Sequence, residues 1–307
     1  MARQMDGETA ATSAAANGYG GKEPWQLRLF RHSIKKKETM RAVLSVLPDV
    51  EGKRCLEIGC ATGTSGWLLR QRGGTWSSSD FDIAQVESAR ELLQDDVVLL
   101  EQHRLPFADA EFDVVVGINF LEHLEEDEEF VREMSRVLKP GGTFILTCPD
   151  AARNRLGYQV KKLYGFTADT GGFGHVRDGY VPPELKALVE RSGLEVESLR
   201  SYSRIFTEMV ENTLNFFYHR SAADDDADVS EEETAGQFHG ETSPASGDDF
   251  KAVGWKFRLY EMAYPVLRGF SLLDRAIPFR PGYMYCVRAR KVGLAAPGHG
   301  PTLSPIR

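Results

Sequence analysis

Glu57, Gly59, Ala61 and Gly63 alternate through the run Leu56 Glu57 Ile58 Gly59 Cys60 Ala61 Thr62 Gly63, and Asp80 stands 23 residues beyond Glu57. Small residues at that spacing let the chain turn tightly and bring backbone N–H groups against a ligand. An acid about twenty residues further on can accept hydrogen bonds from two ribose hydroxyls. The set reads as a nucleotide-binding turn. A dinucleotide fingerprint would require glycines at relative positions one, three and six; those positions hold Gly59, Ala61 and Thr64, so a nicotinamide-dependent oxidoreductase is disfavoured. Two other groups could do chemistry. His123 carries an imidazole suited to accepting a proton from a hydroxyl near neutral pH, against the alternative of a helix-start histidine bonded to backbone. His175, Arg177 and Tyr180 stand at near-alternate positions in a glycine-flanked segment, where Arg177 suits a carboxylate or phosphate. The alternative there is an ordered turn ahead of the helix at Pro182.

These residues need a sheet edge to hold them. A short buried strand ends at the glycine turn and runs into an apolar helix, Ser65 to Leu69. Thr75 to Phe81 reads as a second strand, Ile83 to Leu93 as a helix capped by Asp82, and Val97 to Leu100 as a short third strand. Phe112 to Asn119, with Val114 Val115 Val116 in series, reads as a strand buried on both faces. A charged helix to Leu138, a Lys139 Pro140 Gly141 Gly142 turn and a strand from Thr143 to Cys148 follow. Strands alternating with helices make a parallel α/β sheet, with the glycine turn at its carboxyl edge.

The Glu57 to Gly63 turn resembles motif I of the class I S-adenosylmethionine-dependent methyltransferases, with Ala61 in place of the usual glycine. The segments Leu105 Pro106 Phe107, Leu121 Glu122 His123 Leu124 and Arg136 to Gly142 are similar to those of the quinone-biosynthesis type of that superfamily, and the likeness spans roughly residues 50 to 150. The resemblance implies a Rossmann-like seven-stranded sheet with helices on both faces and S-adenosylmethionine as cofactor. It implies that Gly59, Ala61 and Gly63 approach the cofactor, the Ala61 methyl being tolerable while its φ stays negative. Glu57 would orient the methionine end, Asp80 hold the ribose, Gln102 (with Glu101 beside it as the alternative) contact adenine, and Asn119 complete the cofactor set. His123 would be the general base and His175, Arg177 and Tyr180 the acceptor contacts, with no metal required. Asn119 lacks the Pro-Pro-Tyr sequel of nucleobase and glutamine amino-group methyltransferases, so a small or lipid-like acceptor methylated on oxygen is the leading reading. A non-catalytic S-adenosylmethionine-binding sensor or partner protein is the alternative.

The chain has 307 residues and a net charge of -8. Ten acids and no Lys or Arg fall within residues 221–250, so the remainder is close to neutral and lacks the basic footprint of a nucleic-acid enzyme. Cys55, Cys60, Cys148 and Cys286 show no CxxC pairing, which suits a reducing cytoplasm and argues against a zinc site. No apolar run approaches the roughly 18 residues of a membrane span.

Glu23 to Leu47 reads as one helical region that covers either the cofactor or merely the sheet edge. Pro182 to Ser192 reads as a helix stopped by Gly193, Leu194 to Tyr202 as a sixth strand and Tyr283 to Lys291 as a seventh. Between those last strands lies an insertion. The organisation expected is a disordered leader (1–21), a methyltransferase domain (22–203 with 282–292), a helical cap (204–281) containing a disordered acidic loop (221–250), and a disordered tail (293–307). The cap's aromatic residues include Phe216, Phe217, Trp255, Phe257, Tyr260 and Phe270, with Pro265 expected to kink its second helix. Plain core, a lid over an amphipathic acceptor, and a peripheral membrane face through 251–277 are its three readings.

Overall fold

Seven strands form one sheet in the order β3-β2-β1-β4-β5-β7-β6. They are β1 (Arg54–Ile58), β2 (Thr75–Asp80), β3 (Val97–Leu99), β4 (Phe112–Ile118), β5 (Leu138–Pro149), β6 (Leu194–Tyr202) and β7 (Met284–Lys291). The first five are mutually parallel, and β7 runs antiparallel to both β5 and β6. The computed structural model describes residues 23–101, 104–152, 158, 159, 162, 176–214, 247–252, 254–277 and 280–292. The leader, the tail, Gln102, His175, Phe216, Phe217 and nearly all of the acidic loop lie outside the described residues.

The apolar run in β4 sends its side chains alternately to the two faces. Val115 joins a core with Leu56, Phe144 and Leu146. That core is covered by α5 (Asp127–Val137) through Phe130, Val131 and Met134 and by α6 (Pro182–Arg191) through Leu185, Leu188 and Val189. Val114 and Val116 face the other side, where α1 (Trp25–His32), α2 (Ile34–Val46) and α3 (Thr64–Arg70) contribute Leu27, Met40, Val43 and Trp67. Strands buried on both faces are what a parallel sheet between two helical layers demands.

The helical region expected from Glu23 to Leu47 is divided into two helices, α1 and α2. Ser33 leaves the helical region at φ -87°, ψ 117°, and its hydroxyl accepts the Lys36 N–H at 3.2 Å, capping α2. Asp82 caps α4 (Ile83–Leu93) as expected, accepting the Ala84 and Gln85 N–H groups. The strand expected from Thr143 begins at Leu138, running through the glycine pair.

The insertion supplies α7 (205–214), α8 (Gly247–Ala252), α9 (Gly254–Ser271) and a 3-10 turn, Leu272–Ala276. Helix α8 starts inside the stretch expected to be loop, because Phe250 is buried and stacks on Trp25 at 5.5 Å. Helix α9 continues through Pro265. Among the described residues no helix is long and apolar enough to cross a membrane.

Candidate active site

The strand order reverses between β1 and β4, which lie side by side while their following helices go to opposite faces. The carboxyl ends of such a pair leave a crevice. Here it is a cavity of about 120 Å³, lined from β1's turn, from Asp80 and Phe81 after β2, and from Ile118 to Phe120 and His123 after β4. Helices α1 and α2 close it with Phe30, Lys36, Thr39 and Met40. Their covering role decides between the two readings of the N-terminal segment. No single residue in 23–47 marks which sheet edge a helix will cover, so the sequence left that choice open.

The turn is built by conformations that side chains resist. Gly59 has φ +78°, and a Cβ there would meet the Ile118 carbonyl at 2.6 Å. Gly63 has φ +86°, and a Cβ would lie 2.9 Å from Ala89 Cα in α4. Both glycines are thus required by the protein's own packing around the turn. Ala61 departs from the expectation of a negative φ: it stands at +46°, in the left-handed region. What holds it is Asp80, whose Oδ2 accepts the Ala61 N–H at 2.8 Å. Asp80 Oδ1 accepts the N–H groups of Phe81 (2.8 Å) and Asp82 (3.2 Å). Burial pushes the Asp80 carboxyl above the usual range, opposed by these three backbone donors. With two donors on Oδ1 and one on Oδ2, it is Oδ2 that retains acceptor capacity.

Glu57 is fully buried beneath α3 and is absent from the cavity lining. Its Oε2 accepts the Ser78 hydroxyl at 2.8 Å, and a Cβ on Gly66 would come within 2.5 Å of that oxygen. Burial raises its pKa, opposed by the Ser65 and Ser78 hydroxyls and by Arg70. Ser65 itself lines the cavity, whereas the Glu57 carboxylate beneath it does not.

Asn119 follows β4 at φ +47°, a conformation asparagine tolerates better than most residues. Its N–H donates to the Thr147 carbonyl at 3.1 Å, and its Oδ1 accepts the Thr147 hydroxyl at 2.8 Å. With Oδ1 engaged, the amide Nδ2 is the group Asn119 can offer. His123 ends a 3-10 turn, Leu121–His123, and its N–H donates to the Phe120 carbonyl at 3.0 Å. The imidazole is 8% exposed and lines the same cavity as Asp80.

Arg177 and Tyr180 are not brought to the cavity. Arg177 Nη1 pairs with Asp127 Oδ2 at 2.5 Å, and its Nη2 donates to the Glu125 carbonyl at 3.2 Å. The Tyr180 hydroxyl donates to the same Asp127 oxygen at 2.7 Å and its ring is 1% exposed. Burial, then Asp127, pushes the phenol pKa up. The pair anchors the start of α5, so that Arg177 and Tyr180, two of the three expected acceptor contacts, are tie-rods between 176–180 and that helix. Tyr158 donates to Asp178 at 3.2 Å, extending the brace. Sequence reasoning missed the contributions of Phe30, Lys36, Thr39, Met40 and Gln85 to the lining.

The donor set fits S-adenosylmethionine. A carboxylate with free acceptor capacity beside a strained turn suits a ribose, and Phe30, Phe81 and Phe120 give apolar and aromatic walls for an adenosyl group and a sulfonium. Among the described residues Lys36 is the one Lys or Arg in the lining, which offers little to a diphosphate.

Comparison with known proteins agrees. Residues 56–146 match a family model described as a methyltransferase domain. The methyltransferase GfsG of Streptomyces halstedii is 31% identical over 161 residues, covering 50% of this chain and 56% of that protein. A probable S-adenosylmethionine-dependent methyltransferase of Mycolicibacterium smegmatis is 33% identical over 147 residues, covering 48% and 53%. The chain thus spans about half the length of the curated relatives it matches. Further relatives bear names specifying oxygen, nitrogen and carbon methylation. The crystal structure of a putative methyltransferase from Bacillus halodurans aligns with a TM-score of 0.50 at 16% identity, covering 84% of this chain and all of that one, a likeness of fold.

Proposed function

We propose that this chain is a class I S-adenosylmethionine-dependent methyltransferase, as the methyltransferase-domain match over residues 56–146 and the named relatives suggest, and that it transfers a methyl group to a small or lipid-like acceptor, on oxygen. The observation that carries the reading is that Asp80 and His123 line one cavity, at the reversal point of the sheet. S-adenosylmethionine supplies an electrophilic methyl on a sulfonium sulfur. The chain's part is to align, to exclude water and to take a proton.

Asp80 and the turn that it pins would fix the cofactor's ribose. Phe30, Met40 and Phe120 line the cavity with apolar surface that would exclude water. An acceptor hydroxyl beside His123 would pass its proton to the imidazole as the oxygen attacks, the new oxygen–carbon bond forming as the sulfur–carbon bond breaks. Asn119 is placed to hold the acceptor or the cofactor through its amide. A lipid-like acceptor suits the apolar walls and matches the name of one relative, a fatty-acid O-methyltransferase of Mycolicibacterium smegmatis.

Calorimetry with S-adenosylmethionine and with NAD, followed by a mass-spectrometric screen of hydroxylated and carboxylated acceptors, tests the proposal. His123→Ala should lower turnover about 100-fold or more on a hydroxyl acceptor while cofactor affinity stays nearly constant. Tighter binding of NAD, or transfer only to nitrogen or carbon, would overturn the respective part of the reading.

A further inference from the structure

Helix α9 turns one face inward and leaves the other bare. Inward, Glu261 pairs with Arg28 at 2.6 Å, the Tyr264 hydroxyl accepts from Lys37 at 3.1 Å, the Tyr260 hydroxyl donates to the His32 carbonyl, and Phe257 meets the His32 ring edge-on at 5.8 Å. These contacts seat α9 on α1 and α2, whose Phe30, Lys36 and Met40 line the cavity. Outward, Trp255, Leu259, Met262, Val266, Phe270 and Leu273 recur at intervals of three and four, one stripe of a helix. All six are exposed: Trp255 at 68%, Met262 at 72% and Val266 at 76%. Apolar surface of this extent does not face water without a partner.

The charges around the stripe identify that partner. Arg258 and Arg275 are exposed beside it, and Lys256 lies 6.0 Å from the Trp255 ring. The two acids between residues 254 and 277 both point away: Glu261 to Arg28, and Asp274 to the Phe206 and Thr207 N–H groups at 2.9 and 3.0 Å. Asp248, further along in α8, is ion-paired with Lys251 at 2.7 Å. A two-fold contact with a second copy would set this patch against itself, cation facing cation with no acid on the patch to answer. An anionic bilayer answers both features, burying the stripe at the acyl boundary and meeting the cations with lipid phosphates and carboxylates. Trp255 is the residue type favoured at such a boundary.

We propose that the outer face of α9 and the following 3-10 turn docks on the surface of an anionic lipid bilayer, lying in the interface without crossing it. The docked helix would put the cavity one helical layer from the lipid. The proposal does not depend on methyl transfer.

The test is flotation of the full chain with neutral phosphatidylcholine vesicles and with vesicles containing phosphatidylserine, at low and high salt, alongside Val266→Glu, Met262→Glu and Arg258→Glu/Arg275→Glu. Expected is binding to the anionic vesicles that weakens with salt, falls at least ten-fold in either apolar-to-Glu variant, and drops roughly five-fold per cation lost. Unchanged thermal midpoints and S-adenosylmethionine affinities keep the variants interpretable, because these side chains face water in the free protein. Absence of binding to anionic vesicles, or equal binding by the variants, overturns the proposal. So does a native dimer that Val266→Glu turns into monomer with no vesicle binding, which would make the face a self-contact. Vesicle binding seen only after deletion of 221–246 also overturns it, by showing that the acidic segment covers the face.

Discussion

Two carboxylates stand at the same edge of the sheet and are used in opposite ways. Asp80 is held by three backbone N–H groups, from Ala61, Phe81 and Asp82, and opens onto the cavity. Asp127 accepts the Glu128 N–H on Oδ1, while its Oδ2 is taken by the Arg177 guanidinium and the Tyr180 hydroxyl, and it is not part of the cavity lining. Backbone donors fix a carboxylate without neutralising it, so it remains available to hydroxyls. A guanidinium and a phenol spend it. From sequence, Asp80 reads as a ribose contact and the Arg177 to Tyr180 segment as either acceptor contacts or an ordered turn; the structure puts Asp80 on the cavity and Arg177 and Tyr180 on Asp127.

Four variants can break the contrast or sharpen it. Asp80→Asn keeps an acceptor for part of the turn but removes the charge, and should weaken S-adenosylmethionine binding by about 10- to 100-fold in calorimetry, the range of a charge-assisted pair. Asp80→Ala is a poorer test, since it strands three N–H groups as well. Glu38 supplies a third kind of carboxylate. Burial, and behind it Asp274 and Glu208, outweigh Arg41 and Arg268 to raise its pKa to about 7. A carboxyl raised in the fold is most compatible with it when protonated, so its contribution is full below about pH 4.5 and is lost as pH climbs to about 7. Glu38→Gln should therefore stabilise the protein by about 2 kcal/mol in urea unfolding at pH 8 and by little at pH 5; an equal effect at both would remove the titration account.

Arg177→Ala should cost about 2 kcal/mol of stability, less than for a fully buried pair because the guanidinium is part exposed, while cofactor affinity holds. A change in affinity or acceptor KM without loss of stability would return Arg177 to the site and erase the contrast. Smallest is Ala61→Gly, which relieves a left-handed alanine and should raise stability by about 0.5–1 kcal/mol in thermal unfolding. Loss of stability instead would show that the Asp80 contact depends on the Ala61 methyl packing.

How much could be read in advance follows from where the information sits. Strand β6 matches its expected bounds, as does α4, and β2, β4 and β7 fall within a residue of theirs, because buried β-branched runs and capping residues signal locally. That β6 and β7 are strands was legible from their local alternation. The sign of φ at Ala61 was not, since it is imposed by Asp80, 19 residues away. Nor was the fate of Arg177, whose partner lies 50 residues upstream in a helix that reads as merely charged. Side chains with one strong distant partner are those whose role composition and spacing cannot assign.

Tyr202, the last residue of β6, is the register partner of Met284, the first of β7. The insertion therefore leaves and re-enters the sheet at neighbouring points, like an overgrown hairpin tip. A segment joined in this way is exchangeable: a tight turn, or another helical pair, would close the same two strands at an entropic cost that grows only slowly with length. The chemistry proposed for the reversal point of the sheet and the docking proposed for its edge can then diverge independently, so that a lineage can alter one without rebuilding the other.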